Sequence, residues 1–265
     1  MLHPLGRSHG LWSLAACALA VLSAGAQDRP LLTESARTAP GGTKSLEAGM
    51  DFVRDEPNFL TGQARDRYDG PVVRLVYSPA DNVELDVEWT ARVGVRDDPD
   101  FGSVSDWGDV ALRAKVRLAG GDGRGYALGA RFGVTLPETS FGDGLGPNAL
   151  RTSAQLLWTA GAGGTDLHLN AGLAIHDDPL QAHEQRDFLH YGAAVVHRLG
   201  GGLSLLGEVS GLAGRGRPGA DARAEARVGV RAGGGRTRWD VALRRGLAEA
   251  DGTWGLTAGV AWTSR

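Results

Sequence analysis

The sequence has one cysteine, Cys17, and two methionines in 265 residues. Cys17 lies in an apolar leader, so loss of the leader would leave no thiol. A disulfide framework, a cysteine-ligated metal site and a thiol nucleophile are then excluded. Beyond residue 27 no stretch approaches the ~18 consecutive apolar residues of a spanning helix, which excludes a helical membrane protein. No charge of one sign dominates: 28 basic and 31 acidic residues leave a formal net charge of −3, too small to indicate nucleic-acid binding. No HExxH is present, and no serine stands beside the histidines in nucleophile spacing. The 42% hydrophobic content excludes a disordered chain, and the 41 glycines do not fall every third residue as in collagen.

The first 26 residues read as an export signal. Arg7 precedes the apolar run at 11–26 (LWSLAACALAVLSAGA), and Ala24-Gly25-Ala26 has the small-x-small form of a cleavage site. Cleavage is expected after Ala26. Leu14-Ala15-Ala16-Cys17 also has the form of a lipobox, so lipidation at Cys17 is the alternative. Residues 27–43 (QDRPLLTESARTAPGGT) show no period and contain Pro30, Pro40 and Gly41-Gly42, which reads as a flexible periplasmic lead-in.

From residue 44 onward apolar side chains recur at every second position. Val83, Leu85, Val87, Trp89, Ala91 and Val93 share one parity, and Glu84, Asp86, Glu88, Thr90 and Arg92 the other. Period two is strand geometry. The same alternation runs through 110–118, 126–134, 167–175, 222–230 and 254–262, and more weakly near 45–53, 71–77, 152–160, 188–198, 202–210 and 236–244. The reading is all-β with about twelve strands, most near the nine to eleven residues of a transmembrane strand. Connections alternate between short (78–81, 119–124, 161–164, 199–201, 232–235) and longer (54–70, 94–107, 136–151, 176–187, 211–221, 245–252). Short turns on one side and long loops on the other are the layout of an antiparallel outer-membrane β-barrel, with periplasmic turns and extracellular loops. The long segments 54–70, 94–107, 136–151 and 176–187 are expected as mobile loops.

Alternation alone also fits an exported soluble β-sandwich, with the apolar face turned inward. Three features favour the barrel. A twelve-strand meander closes too wide for Ala, Val and Leu to fill. Tyr77, Tyr126, Trp158, Trp239 and Trp262 fall at the short-turn ends, and Trp254 and Tyr191 near the long-loop ends, like the two aromatic girdles of membrane barrels. The leader supplies the route out of the cytoplasm.

Residues 106–136 read DWGDVALRAKVRLAGGDGRGYALGARFGVTL. Gly108, Asp109, Leu112 and Lys115, then a short turn, then Leu136-Pro137 and the loop Phe141-Gly142-Asp143-Gly144-Leu145-Gly146, resemble an outer-membrane family. It is named after the meta-cleavage pathway of phenol degradation, and its members are often labelled transporters. The resemblance implies a barrel in the outer membrane that passes hydrophobic or aromatic compounds, and it carries over no catalytic residue. Its partners would be outer-membrane lipid, the assembly machinery and a small solute. The sequence ends Trp262-Thr263-Ser264-Arg265, with its last aromatic three positions earlier than in many such barrels.

In a barrel the charged parity lines the lumen. The expected lining is Glu84, Asp86 and Glu88 facing Asp109, Arg113, Lys115 and Arg117, with Arg131, and further on Arg223, Glu225, Arg227, Arg231, Arg238, Asp240 and Arg244. Opposite charges on paired strands attract across the ladder. The set serves either as a structural salt network or as a charged filter. His168, His176, His183 and His190 cluster in sequence near Asp177 and Asp178, but as polar residues of a lumen or loop. No cofactor or metal site is expected, and no enzyme activity. A channel, a non-transporting scaffold or adhesin barrel, and a soluble binding protein are the functions that fit the residues.

Overall fold

A computed structural model describes residues 29–121 and 125–264. Its strands are β1 (Lys44–Pro57), β2 (Ala64–Ala80), β3 (Val83–Thr90), β4 (Val93–Asp98), β5 (Gly102–Asp106), β6 (Val110–Gly120), β7 (Gly125–Leu136), β8 (Arg151–Ala162), β9 (Thr165–Asp177), β10 (Gln185–Gly200), β11 (Leu203–Ala213), β12 (Arg223–Gly234), β13 (Thr237–Gly246) and β14 (Trp254–Ser264). Each pairs antiparallel with its neighbours, and β1 pairs with both β14 and β2, so the sheet closes on itself. β3 and β4 are two pieces of one stave, both paired to β2. β5 and β6 are likewise one stave, paired to β4 and β3. The result is a closed barrel of twelve staves. The expected signal peptide, residues 1–26, lies outside the described residues.

The apolar parity points outward. Leu156, Leu173 and Val228 are 60%, 60% and 63% exposed, whereas Lys115 and Glu47 are each 1% exposed. Covering a Leu or Val side chain is worth roughly 1.5–3 kcal/mol. A band of them around the outside of a closed barrel is therefore matched to lipid chains, and the β-sandwich alternative is overturned. Arginine at the midplane of a lipid face costs roughly 2–4 kcal/mol. Leu173→Arg is accordingly expected to lower barrel stability by about that amount in denaturant unfolding from vesicles, while Leu173→Val leaves it nearly unchanged.

The aromatics form two rings. Tyr77, Tyr126, Trp239 and Trp262 are exposed toward the short turns. At the other end Trp254 packs edge-on against Phe52 with ring centroids 5.8 Å apart. Trp89 and Trp107 stack at 5.5 Å, with the Arg92 guanidinium 5.8 Å from the Trp107 ring.

Two expectations need correction. Segments 54–70 and 94–107 are mostly strand, not loop: β1 runs on to Pro57, β2 begins at Ala64, and β4 and β5 form a hairpin. These extensions rise beyond the apolar band, where the outward face is polar and β4 turns Val93 and Val95 inward, so no outward apolar stripe marks them. Val93 is also not on the lipid face. The chain breaks from ladder geometry at Ala91 and Arg92, which shifts the phase, and Val93 is 2% exposed in a cluster with Val95 and Leu145.

Candidate functional site: the lumen and its N-terminal segment

The lumen is not empty. Residues 29–43, expected as a flexible lead-in, rise from the short-turn end into the barrel and cross it. The segment joins β1 beside β2, where Gly42 N donates to Ser78 O at 2.7 Å, and runs back from there toward its start. Ala39 N donates to Glu84 Oε1 at 2.6 Å, and Arg37 pairs with Asp166 at 3.0 Å. Ala36 N donates to Thr159 Oγ1 at 2.9 Å, and the Ala36 side chain packs with Ala127 and Leu157. Glu34 and Asn170 exchange two hydrogen bonds, Glu34 N to Oδ1 at 2.6 Å and Nδ2 to Glu34 O at 2.9 Å. Leu32 N and Thr33 N both donate to Glu208, at 2.8 Å each. Leu31 packs on Ala194, Val196 and Leu206. Arg227 and Arg231 donate to the carbonyls of Pro30 and Arg29, and Arg29 faces Asp240 at 3.8 Å. Strands from almost every side of the barrel therefore hold one short segment.

The physical reason is an inner wall that carries charge and needs partners. A buried backbone N–H or carboxylate without a partner costs ~1–3 kcal/mol. The segment has no period of its own, yet its backbone donors meet Glu84, Thr159, Asn170 and Glu208 in turn. Glycines leave room for it. A Cβ at Gly49 would overlap the Arg29 guanidinium, and one at Gly192 would sit 2.5 Å from Thr33 Oγ1. Gly192→Val is therefore expected to loosen the segment without unfolding the barrel. Limited proteolysis should then cut within residues 29–43 at a rate well above that of the unaltered protein.

The expected lining residues fall into distinct places. Register puts Glu84 opposite Lys115 and Asp86 opposite Arg113. Lys115 reaches Glu84 at 2.6 Å and Glu34 at 3.7 Å. Asp86 receives Arg74 at 3.1 Å, Arg113 at 3.0 Å and Arg131 at 3.2 Å, and Arg113 also holds Glu88 at 2.7 Å. Arg131 also pairs with Glu34. On the other side Arg227 and Arg244 stand directly opposite each other, a like-charge pair. Glu225 resolves it by pairing with both, with Arg244 at 2.7 Å. Arg238 shares the inner parity of β13 with Asp240 and Arg244. Arg117 is at the short-turn end, bonded to Thr38 Oγ1 and Asp81 O. Arg223 is at the opposite rim, near Glu56 at 3.4 Å and Asp251 at 3.6 Å. Burial pushes the Asp251 carboxyl up, and the Ala224 N–H, Arg223 and the Ala248 N–H oppose that only in part.

Asp109 anchors the inward fold of the 137–150 loop. It accepts from Thr139 Oγ1 at 2.7 Å and Glu138 N at 3.0 Å, and pairs with Arg151. Leu145 of this loop is fully buried against Val93 and Val95, Arg67 donates to its carbonyl at 2.8 Å, and Phe141 packs on Phe59 at 5.5 Å. Arg65 and Asn58 meet at Asp98, at 2.9 and 3.0 Å. The expected loop at 136–151 is thus a folded cover over part of the mouth. The loop near 176–187 is pinned by Asp178, which accepts from Arg186 at 2.9 Å and from Leu180 N at 2.9 Å. Burial alone would raise the Asp178 carboxyl; those hydrogen bonds outweigh it and hold it below the ordinary range. Between the cover and the N-terminal segment lies a cavity of about 530 Å³.

The four histidines do not converge, although His176 and His190 line the same cavity. His168 is buried low in the barrel, 2.9 Å from Thr159 Oγ1. His176 packs against Phe188 at 5.2 Å, His190 lines the cavity, and His183 is in the loop. Among the described residues no three His, Cys, Asp or Glu side chains are placed to hold a metal ion. Residues absent from the sequence expectation include Glu34, Arg74, Asn170 and Glu208, which hold the segment or the lattice around it. Arg74 and Glu208 sat on the charged parity of weak segments; nothing local marks Glu34.

A closed antiparallel wall, apolar outside and charged inside, with two aromatic rings, defines a β-barrel of the outer-membrane type. The chain belongs to the family described as "Putative MetA-pathway of phenol degradation", whose pattern matches residues 27–263. The resemblance carried by Gly108–Pro137 and the loop after it is therefore borne out. Its fold is similar to that of an outer-membrane channel from Pseudomonas putida F1, with a TM-score of 0.64 over 86% of this chain and 97% of that one, at 19% identity. Looser likenesses include the CymD monoaromatic hydrocarbon channel (TM-score 0.45, 11% identity, 84% and 88% covered). Another is the translocator domain of the autotransporter NalP from Neisseria meningitidis (TM-score 0.49, 13% identity, 83% and 88% covered). No curated protein matches the sequence.

Proposed function

We propose that the protein is a non-enzymatic outer-membrane channel whose lumen is closed at rest by its own N-terminal segment. It reaches the membrane by way of the leader at 1–26 and passes small solutes, hydrophobic or aromatic ones among them, when the segment shifts. The observation that carries this is the mode of holding. The segment is held by hydrogen bonds and ion pairs to the wall and by only two small apolar clusters, Leu31 and Ala36 with their neighbours. Polar contacts of this kind are worth ~0.5–1.5 kcal/mol each net, because water replaces them when they break. A segment so held can leave and return, whereas a hydrophobic core could not. The charge lattice around Asp86 would then serve as both brace and filter.

The filled lumen also fits a scaffold that never opens. Planar-bilayer recording of the refolded mature chain separates the two. Brief openings whose frequency rises with mild denaturant support the channel. A barrel that stays closed in every condition, and after the segment is removed, refutes it.

A further inference from the structure

The outer face of the barrel is unevenly charged at its long-loop rim. On β1 the outward parity runs Leu46, Ala48, Met50, Phe52 and then Arg54. On β13 it runs Trp239, Val241, Leu243 and then Arg245. Both apolar stripes thus end in an arginine. Register places Arg54 and Arg245 on either side of Trp254 of β14, so the three side chains form one outward rung. Two strand spacings, roughly 10 Å, separate the two arginines. The outward rung beneath is Phe52, Leu256 and Leu243. The basic rung therefore stands where lipid chains give way to headgroups. Further round the same rim Arg92 lies over Trp107 at 5.8 Å and Arg96 over Tyr68 at 5.7 Å. Across the barrel, the exposed outward residues at the long-loop ends of β9 and β10 are instead Asp177 and Asp187. A girdle that only marked the membrane boundary would not be basic on one side and acidic on the other.

The two arginines of the rung keep their donors for something outside the protein. Among the described residues no ion pair or side-chain hydrogen bond engages Arg245. Arg54 has Asp55 at 3.8 Å, but both side chains are about half exposed, and Asp55 also accepts from Thr253 Oγ1 at 2.9 Å. A surface pair of that kind is of little net strength. Guanidinium groups bind phosphate through paired, charge-assisted hydrogen bonds. An indole between them offers an apolar body and one N–H to a ligand that is itself apolar at one end. Donors above and an aliphatic rung directly below match an amphiphile, not a free anion. We propose that the Arg54–Trp254–Arg245 rung binds lipopolysaccharide of the outer leaflet, a phosphate of its lipid anchor on the two guanidinium groups and its acyl chains along Phe52, Leu256 and Leu243. None of these residues faces the lumen, so the site holds whether or not the barrel conducts.

Native mass spectrometry of the refolded full mature chain in detergent tests it. The probes are the phosphorylated lipid anchor of lipopolysaccharide and the same anchor with its phosphates removed, with a chelator present so that no divalent ion bridges acids to phosphate. The phosphorylated anchor is expected to bind about fivefold or more tighter than the other. Arg54→Gln with Arg245→Gln should remove that difference and leave binding of the dephosphorylated anchor unchanged. Lys44→Gln with Arg236→Gln takes the same charge from the short-turn end and should change neither. All four side chains are exposed, so both double variants should keep the unaltered protein's resistance to unfolding in gels. Equal binding of the two anchors, or equal losses from the two double variants, overturns the site. Full displacement of the anchor by inorganic phosphate would show that the rung takes a free anion, and would overturn it as well.

Discussion

Deleting residues 29–39 is expected to turn a mostly closed barrel into a steadily conducting one. The segment spans the lumen and touches the wall through Glu84, Thr159, Asn170, Glu208 and Asp240. Its removal leaves those groups facing water, where each can be solvated, so the penalty of an unpaired buried group is not incurred. The wall itself is untouched, because the strand ladders from β1 round to β14 use none of the deleted backbone. The deletion variant should keep the unaltered protein's resistance to unfolding at room temperature in gels. Its conductance should rise by an order of magnitude or more over the closed state, as roughly expected for replacing packed chain with a water-filled, charge-lined pore.

Lys115→Glu is expected to have the largest effect on stability. Lys115 is 1% exposed and lies between Glu84 at 2.6 Å and Glu34 at 3.7 Å. Breaking a buried ion pair by removing one partner costs ~3–5 kcal/mol. The reversal adds a third carboxylate to the same place, so the loss should reach at least the upper end of that range. Unfolding midpoints in guanidinium, measured in lipid vesicles, check it. The double reversal Lys115→Glu with Glu84→Lys should recover part of the loss, since the pair is restored but the contact to Glu34 changes sides. No recovery would mean that the pair does not act as a unit.

The barrel was legible in the sequence because a strand's side chains alternate and lipid accepts only one of the two faces. Twelve apolar stripes and their short Gly-rich turns follow from that rule. What stayed hidden has equally physical causes. Above the lipid band β1, β2, β4 and β5 turn polar side chains outward, and β4 turns Val93 and Val95 inward under the 137–150 loop, so no outward apolar stripe marks these strands and they read as loops. The irregular backbone at Ala91 and Arg92 flips the phase, which moved Val93 from the expected outside to the inside. Polar parity placed Glu84 and Asp86 on the charged face opposite the bases of the next strand, yet it could not indicate Glu34. The partners of Glu34 lie 40 residues away at Arg74 and 136 at Asn170. Its flanks, Leu31-Leu32 and Pro40-Gly41-Gly42, have the composition of a loose tail.

The central claim is that the N-terminal segment is what closes the lumen. Ser35 Oγ and Thr159 Oγ1 are 3.4 Å apart, so the two side chains face each other, and cysteines at these positions are the pair to tether by oxidation or by a short reducible bis-thiol crosslinker, with the link checked by loss of free thiol. A mature chain beginning at residue 27 carries no other cysteine. Single-channel recording of Ser35→Cys with Thr159→Cys, before and after reduction, is the most direct measurement. The tethered barrel should stay closed, and reduction should restore the openings of the unaltered protein. A tethered barrel that carries as much current as the deletion variant would show that solute does not pass where the segment lies, and would contradict the account.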